Sequence, residues 1–388
     1  MASFWTWTSD EKLQKAEDVL VKLAGLEDEE FKSYPVKFTF TARDWKEDYN
    51  EQMEYVQSNS WVCFCGTSQR YVPIEDNEYI WTYEFGDTSK PHIVIVHGFG
   101  GAGMIFFKMF KQLSQHFHVY LIDILGMGRS NRGDFDCETY EECESYFVNS
   151  IEKWRHKIGI GKMNLFGHSF GGFICSKYAL RYAERINKLM LFSPWASEAC
   201  TEDQLNGLEE EMKEQPLKRR IRYKFMKAIY QRSTLFEMAR KAGRFLGSYM
   251  IKKFIHGRFS NELDAEQLEA IKEYLSQIIL RKGSSEYGFV KMFPYFNRSE
   301  NAILNHLDEY NELNLEISFY YGTKDWMDTC FNQTKVSQKL KDVGKKVYLI
   351  QDAGHHLYFD NPDESCDMIL DNFKTGLKTL TSNNQILT

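Results

Sequence analysis

From residue 92 onward the chain alternates short runs that are apolar at nearly every position with longer stretches that are apolar at every third or fourth. "HIVIVHG" (92–98), "HVYLIDI" (118–124), "MNLFGHS" (163–169) and "NKLMLFSP" (187–194) are of the first kind, as are "EISFYYG" (316–322) and "KKVYLIQD" (345–352). Such runs predict strands buried on both faces. "TYEECESYFVNSIEKWRHKI" (139–158) is of the second kind, with Tyr140, Cys143, Phe147, Ile151 and Trp154 on one helical stripe. "GGFICSKYALRYAERI" and a segment from about 362 predict further helices. Alternating strands and helices mean βαβ units, hence an α/β fold with a mostly parallel central sheet and helices on both faces. Between 195 and about 315 the rhythm gives way to charged helical sequence, which predicts an inserted helical lid. The expected organisation is an N-terminal extension with the first strands (1–80), a first core part (81–194), the lid (195–315), and a second core part with a polar tail (316–388).

Composition narrows the class. Apolar residues make up 43% of 388 and charged residues 27%, ordinary for a globular protein. No stretch is apolar enough to span a bilayer, and the start lacks the basic-then-apolar order of a secretory signal. Among eight cysteines only Cys63 and Cys65 are close, with no second pair at zinc spacing, so reduced thiols in an intracellular protein and no metal are expected. A net charge of −7 without a binding motif argues against nucleic acid.

"LFGHSFGG" (165–172) places Ser169 in G-x-S-x-G between a predicted strand and a predicted helix. A sharp strand-to-helix turn projects a serine hydroxyl above a sheet, and its neighbours must be small because backbones crowd there. Gly167, Gly171 and Gly172 meet that need. A serine nucleophile requires a base oriented by an acid, in the order Ser, Asp or Glu, His along this type of chain. "YYGTKDWMD" offers Asp325, in G-x-x-D, and the alternative Asp328. "DAGHHLYFD" offers His355, directly after the Ala353-Gly354 turn. "HGFGG" (97–101) closes the first clear strand, so the Phe99 and Phe170 amides are the candidate oxyanion donors.

Together "HGFGG", "DILGMGRS", "GHSFGGF", "SPW", "YGTKDWMD" and "GHHLYFD" resemble the lipid-active subfamily of the α/β-hydrolase fold. That subfamily includes the comparative-gene-identification lipase co-activator, an N-acyl phospholipid lysophospholipase, and cardiolipin deacylase and lysophosphatidate acyltransferase relatives. Co-activator members carry asparagine at the nucleophile, whereas this chain keeps Ser169. The resemblance implies a cofactor-free serine hydrolase acting on phospholipid or lysophospholipid at a membrane or lipid-droplet surface, with an organelle such as the mitochondrion as one location. "DWMD" is similar to the deacylase and acyltransferase branch, while other branches keep only an aspartate matching Asp328, so the acid stays open between the two. His355 and Asp360 form the H-x-x-x-x-D that the family links to acyl-CoA-dependent acyltransferase activity. Against that role, Asn361, Pro362 and Glu364 spell a helix start that Asp360 could simply serve. A non-catalytic co-activator is the remaining alternative.

Residues 217–258 hold thirteen Lys and Arg against the single acid Glu237, interleaved with aromatic and aliphatic residues. Arg219, Arg220, Arg222, Lys252 and Lys253 are the expected contacts to anionic lipid, each base contributing about 1 kcal/mol near such a surface. Phe4, Trp5 and Trp7 form an aromatic cluster suited to the water–lipid interface.

Overall fold

Strand β3 (His92–Val96) shows how apolar alternation becomes architecture. Its side chains point alternately to opposite faces, so Ile93 and Ile95 enter one core layer while Val94 and Val96 enter the other. The same division recurs along β4 (His118–Ile122), where Val119 and Leu121 oppose Tyr120 and Ile122. A strand that must satisfy two hydrophobic layers reads as a continuous apolar run.

The computed structural model describes residues 8–27, 30–41, 43–46, 77–199, 210, 213–221, 224, 233–293, 299, 301–328 and 334–383. The remaining strands are β1 (Phe31–Phe38), β2 (Glu78–Phe85), β5 (Met163–His168), β6 (Ile186–Phe192), β7 (Glu316–Gly322) and β8 (Lys346–Ile350). They form one eight-stranded sheet in the order β1-β2-β4-β3-β5-β6-β7-β8. β2 runs antiparallel to β1 and β4, and every pair from β4 to β8 is parallel.

One face carries α1 (Asp10–Leu23) and the helix beginning at Pro362; the other carries α2 (Tyr140–Ile158) and α3 (Phe170–Tyr182). Helix α2 starts where Thr139 accepts a hydrogen bond from the Glu142 amide and stops at Gly159 in the left-handed conformation. Between β6 and β7 lie α4 (Leu235–Lys241), α5 (Arg244–Phe259), α6 (Ala265–Ile279) and α7 (Glu286–Met292). Phe236, Ile251, Ile255 and Ile271 continue the first core layer upward, which seats these helices over the carboxyl ends of the strands.

Helix α1 packs against α6 and is tied to it by polar contacts. The Ser9 amide donates to Gln277 Oε1 at 2.9 Å, and Tyr83 on β2 joins both helices, donating to Glu17 Oε1 at 2.8 Å and lying 3.1 Å from the Tyr274 hydroxyl. Glu17, Tyr83 and Tyr274 are buried, and a buried hydroxyl must keep its partners.

Candidate active site

Strand β5 ends at His168 and α3 begins at Phe170, leaving Ser169 as the hinge with φ 55° and ψ −120°. A non-glycine residue at positive φ is held there by its surroundings. The Ser169 amide donates to Phe192 O at 2.9 Å, and its carbonyl accepts from the Phe173 and Trp195 amides at 3.0 and 2.9 Å. A Cβ at Gly167 would lie 2.5 Å from Gly171 O, and one at Gly171 would lie 2.4 Å from Val96 O, so only glycine allows the crossing.

His355 follows β8 and turns back over the sheet. Its Nε2 lies 3.1 Å from Ser169 Oγ. Its Nδ1 lies 2.6 Å from Ser193 Oγ and 3.6 Å from Asp325 Oδ1. Asp325, after β7, accepts the Met327 amide at Oδ1, while its buried Oδ2 has no hydrogen-bond partner. Asp328 is oriented differently: its two oxygens accept from the Ser337 amide and hydroxyl, each at 2.7 Å. Asp360 Oδ2 accepts the Gly354 amide at 2.6 Å and braces the turn that presents His355. No hydrogen bond or ion pair joins Asp360 to His355 among the described residues. Asn361 and Glu364 cap the following helix reciprocally, Nδ2 donating to Oε2 at 2.7 Å and the Glu364 amide to Asn361 Oδ1 at 3.3 Å.

The turn after β3 is set by His97. It is buried, and burial holds it below its usual pKa, so the ring is neutral. Its Nε2 accepts the Ile124 amide at 3.0 Å, which leaves Nδ1–H to donate to Gly98 O at 2.8 Å. Gly98 meets the nucleophile closely: a Cβ there would lie 2.9 Å from Ser169 Cβ. The Phe99 amide follows in this turn, and the Phe170 amide is the first N–H of α3, where no carbonyl of the same helix can reach it.

These groups open into a small cleft bounded by Gly98–Gly101, Ser169, Phe254, Arg258, Leu275 and Tyr358. Core strands provide one wall and lid helices α5 and α6 the other.

The alpha/beta hydrolase fold model matches residues 91–362, well over half of the chain. The chain belongs to the α/β-hydrolase fold family. Within it the relatives are lipid-active. A mouse (lyso)-N-acylphosphatidylethanolamine lipase is 30% identical over 76% of this chain and 82% of its own. A rice probable 1-acylglycerol-3-phosphate O-acyltransferase is 28% identical over 74% of this chain and 68% of its own. Among solved structures, the carboxylesterase CesB of Bacillus subtilis superposes with a TM-score of 0.58 at 14% identity, covering 93% of this chain and 96% of its own; at that identity the likeness concerns the fold.

In this α/β-hydrolase the fold brings Ser169, His355 and Asp325 together and turns Asp328 to Ser337, and three groups around them were not singled out from the sequence. Ser193, itself at φ 41°, is brought to His355 by β6. His168 sits under His355 and donates Nε2–H to its carbonyl at 2.9 Å; burial keeps its ring neutral. Arg258 of α5 donates Nε–H to His356 Nε2 at 2.7 Å. The phrase "GHHL" signalled a histidine pair, but nothing local connects it to a residue 98 positions earlier.

Of the lipid contacts expected from sequence, Phe4, Trp5, Trp7 and Arg222 lie outside the described residues. Arg219 is exposed and Arg220 half-buried. Lys252 pairs with Glu273 at 3.1 Å, while Lys253 is exposed beside the Tyr249 ring. Helix α5 also presents Phe245, 89% exposed, with Leu246 and Tyr249 beside it in sequence. None of the described helices is long and apolar enough to cross a membrane.

Proposed function

We propose that this protein is a serine hydrolase of phospholipid or lysophospholipid acyl esters. The observation that carries the reading is Ser169, strained at a strand–helix junction, with its hydroxyl 3.1 Å from His355 Nε2 inside the cleft. Ser169 Oγ attacks the ester carbonyl and its proton passes to His355 Nε2. Asp325 stabilises the imidazolium that forms, its buried carboxylate accepting only the Met327 amide among the described residues. The Phe99 and Phe170 amides hold the oxyanion. His355 then returns the proton to the leaving alcohol, and water releases the fatty acid by the same steps in reverse.

The apolar and basic exposed positions of α5 support contact with an anionic lipid surface, the source of the substrate in this reading. A second reading, transfer from acyl-CoA to a lysophospholipid through His355 and Asp360, draws on the printed name of the rice relative. Asp360 is engaged by the Gly354 amide, which favours hydrolysis.

The deciding experiment incubates wild type and Ser169→Ala with mixed phospholipid vesicles, with and without lysophosphatidate plus acyl-CoA, and reads products by lipid mass spectrometry. Fatty acid formed by wild type alone is the expected result. Diacyl product from both proteins without fatty acid overturns it in favour of the transferase.

A further inference from the structure

Arg258 is a cation in the cleft with no carboxylate paired to it among the described residues. Its Nε–H is spent on His356, whose other nitrogen lies 2.8 Å from the Tyr358 hydroxyl. Because His356 Nε2 accepts, its Nδ1 carries the proton and donates to Tyr358, so one chain of hydrogen bonds fixes the guanidinium plane. The two terminal amino groups make no hydrogen bond, and no carboxylate stands within ion-pair distance of Arg258, among the described residues. Glu262 is the nearest acid in charge terms, but burial pushes its carboxyl up to about 7, so it is only partly ionised at neutral pH. Arg258 lines the same cleft as Ser169, together with Phe254, Phe259 and His356.

A guanidinium with one edge tied back and the other edge free is a fork for a planar pair of oxygens. The apolar walls raise the strength of any charge contact made there. A half-buried cation without a paired carboxylate gains when a ligand brings the opposite charge. We infer that Arg258 is the phosphate clamp of this site: it receives the phosphate of a monoacyl phospholipid whose ester lies at Ser169. The inference rests on the hydrolase reading for what Ser169 does, but the clamp is a binding claim that can be measured without turnover.

Two measurements separate them. The first is binding, by titration calorimetry on Ser169→Ala, of an ether-linked monoalkylglycerol phosphate and of the same alkylglycerol without phosphate. In the Ser169→Ala background, Arg258→Met is expected to weaken the phosphate ligand about tenfold to hundredfold, the size of a lost charge-assisted bond, and Arg258→Lys to restore part of it. Equal weakening of both ligands, or of neither, overturns the clamp whatever the catalytic outcome. Competition by inorganic phosphate at millimolar concentration against the alkylglycerol phosphate, but not against the alkylglycerol, distinguishes the shared anion chemistry from recognition of a whole headgroup. The second is the ratio of kcat/KM for lysophosphatidate over a monoacylglycerol of the same chain. It is expected to fall by a similar factor in Arg258→Met, and an unchanged ratio overturns the clamp. If wild type turns over neither ester, the hydrolase reading fails while the calorimetry still decides the clamp. Should Arg258→Met not fold, Arg258→Lys in both measurements answers the same question, since it keeps a cation and loses the fork.

Discussion

Ser193 Oγ stands 2.6 Å from His355 Nδ1, inside the 3.6 Å that separates the same nitrogen from Asp325 Oδ1. A hydroxyl thus shares the imidazole edge with a carboxylate. The serine supplies an orienting bond, and the carboxylate supplies charge. Asp325→Asn is expected to lower kcat by about a thousandfold or more, as when a triad acid loses its charge. Ser193→Ala is expected to cost far less, about threefold to tenfold, because the charge remains. Steady-state kinetics on a soluble ester reads both; equal losses in the two variants contradict this division.

Asp328 is a scaffold carboxylate in this geometry. Replacing it by alanine strands the buried Ser337 amide and hydroxyl, a cost of about 1–3 kcal/mol. Urea midpoints and kcat on the same preparation make the test: Asp328→Ala loses stability with kcat within about threefold of wild type, whereas Asp325→Asn does the reverse. A thousandfold loss in Asp328→Ala reassigns the acid.

Glu17 gives the fold a pH dependence. Burial beneath Tyr83 raises its carboxyl from the ordinary 4.5 to about 7 despite the adjacent Arg129. The folded state therefore holds a proton that the unfolded chain releases. Stability from this group is complete below pH 4.5 and is lost as pH rises to about 7, by about 3 kcal/mol in total. Glu262 acts with the same sign and more weakly, being half-buried. Urea unfolding between pH 5 and pH 8 is expected to show a falling midpoint that Glu17→Gln flattens. A parallel slope in the variant assigns the effect elsewhere.

Arg240 of α4 is buried against Glu286 of α7, donates to Ile279 O at 2.9 Å, and shares Glu286 with Thr234. Removing one partner of such a pair leaves an unanswered charge. Arg240→Met is expected to destabilise the protein by about 3–5 kcal/mol, read by thermal or urea unfolding. A loss under 1 kcal/mol shows that the lid does not depend on this pair.

Phe245 and Leu246 project from α5 with little protein around them. Changing both to serine is expected to lower partition onto phosphatidylserine vesicles about tenfold or more while leaving the melting temperature near wild type. Wild-type binding should also weaken at high salt, since bases contribute to it. Unaltered vesicle flotation removes α5 from the lipid contact.

The parallel core was legible because its constraint is local. "HIVIV", "HVYLI" and "EISFYYG" can satisfy two hydrophobic layers only as buried strands, and β3, β4 and β7 fall within or on those runs. Ser169 and His355 were legible because each sits at the end of such a strand. The 40 residues or so that separate β1 from β2 hide their antiparallel pairing, in which Phe31 faces Phe85, since a strand's partner is not written in its own pattern. Asp325 and Asp328 lie three residues apart with similar neighbours, and only the positions of His355 and Ser337, distant in sequence, tell them apart. The contacts of Ser193, His168 and Arg258 with the histidine pair span 98 to 187 positions, beyond any spacing rule.

The union of α1, β2 and α6 through Glu17, Tyr83 and Tyr274 has a bearing on how the cleft admits a lipid. Helix α6 is held to the frame through those three buried polar groups, and α5 through the bond from Arg258 to His356 and the burial of Ile251, Ile255 and Phe259. Because Arg258 both lines the cleft and ties α5 to the core through His356, the bond that orients the guanidinium is also one that holds this helix in place.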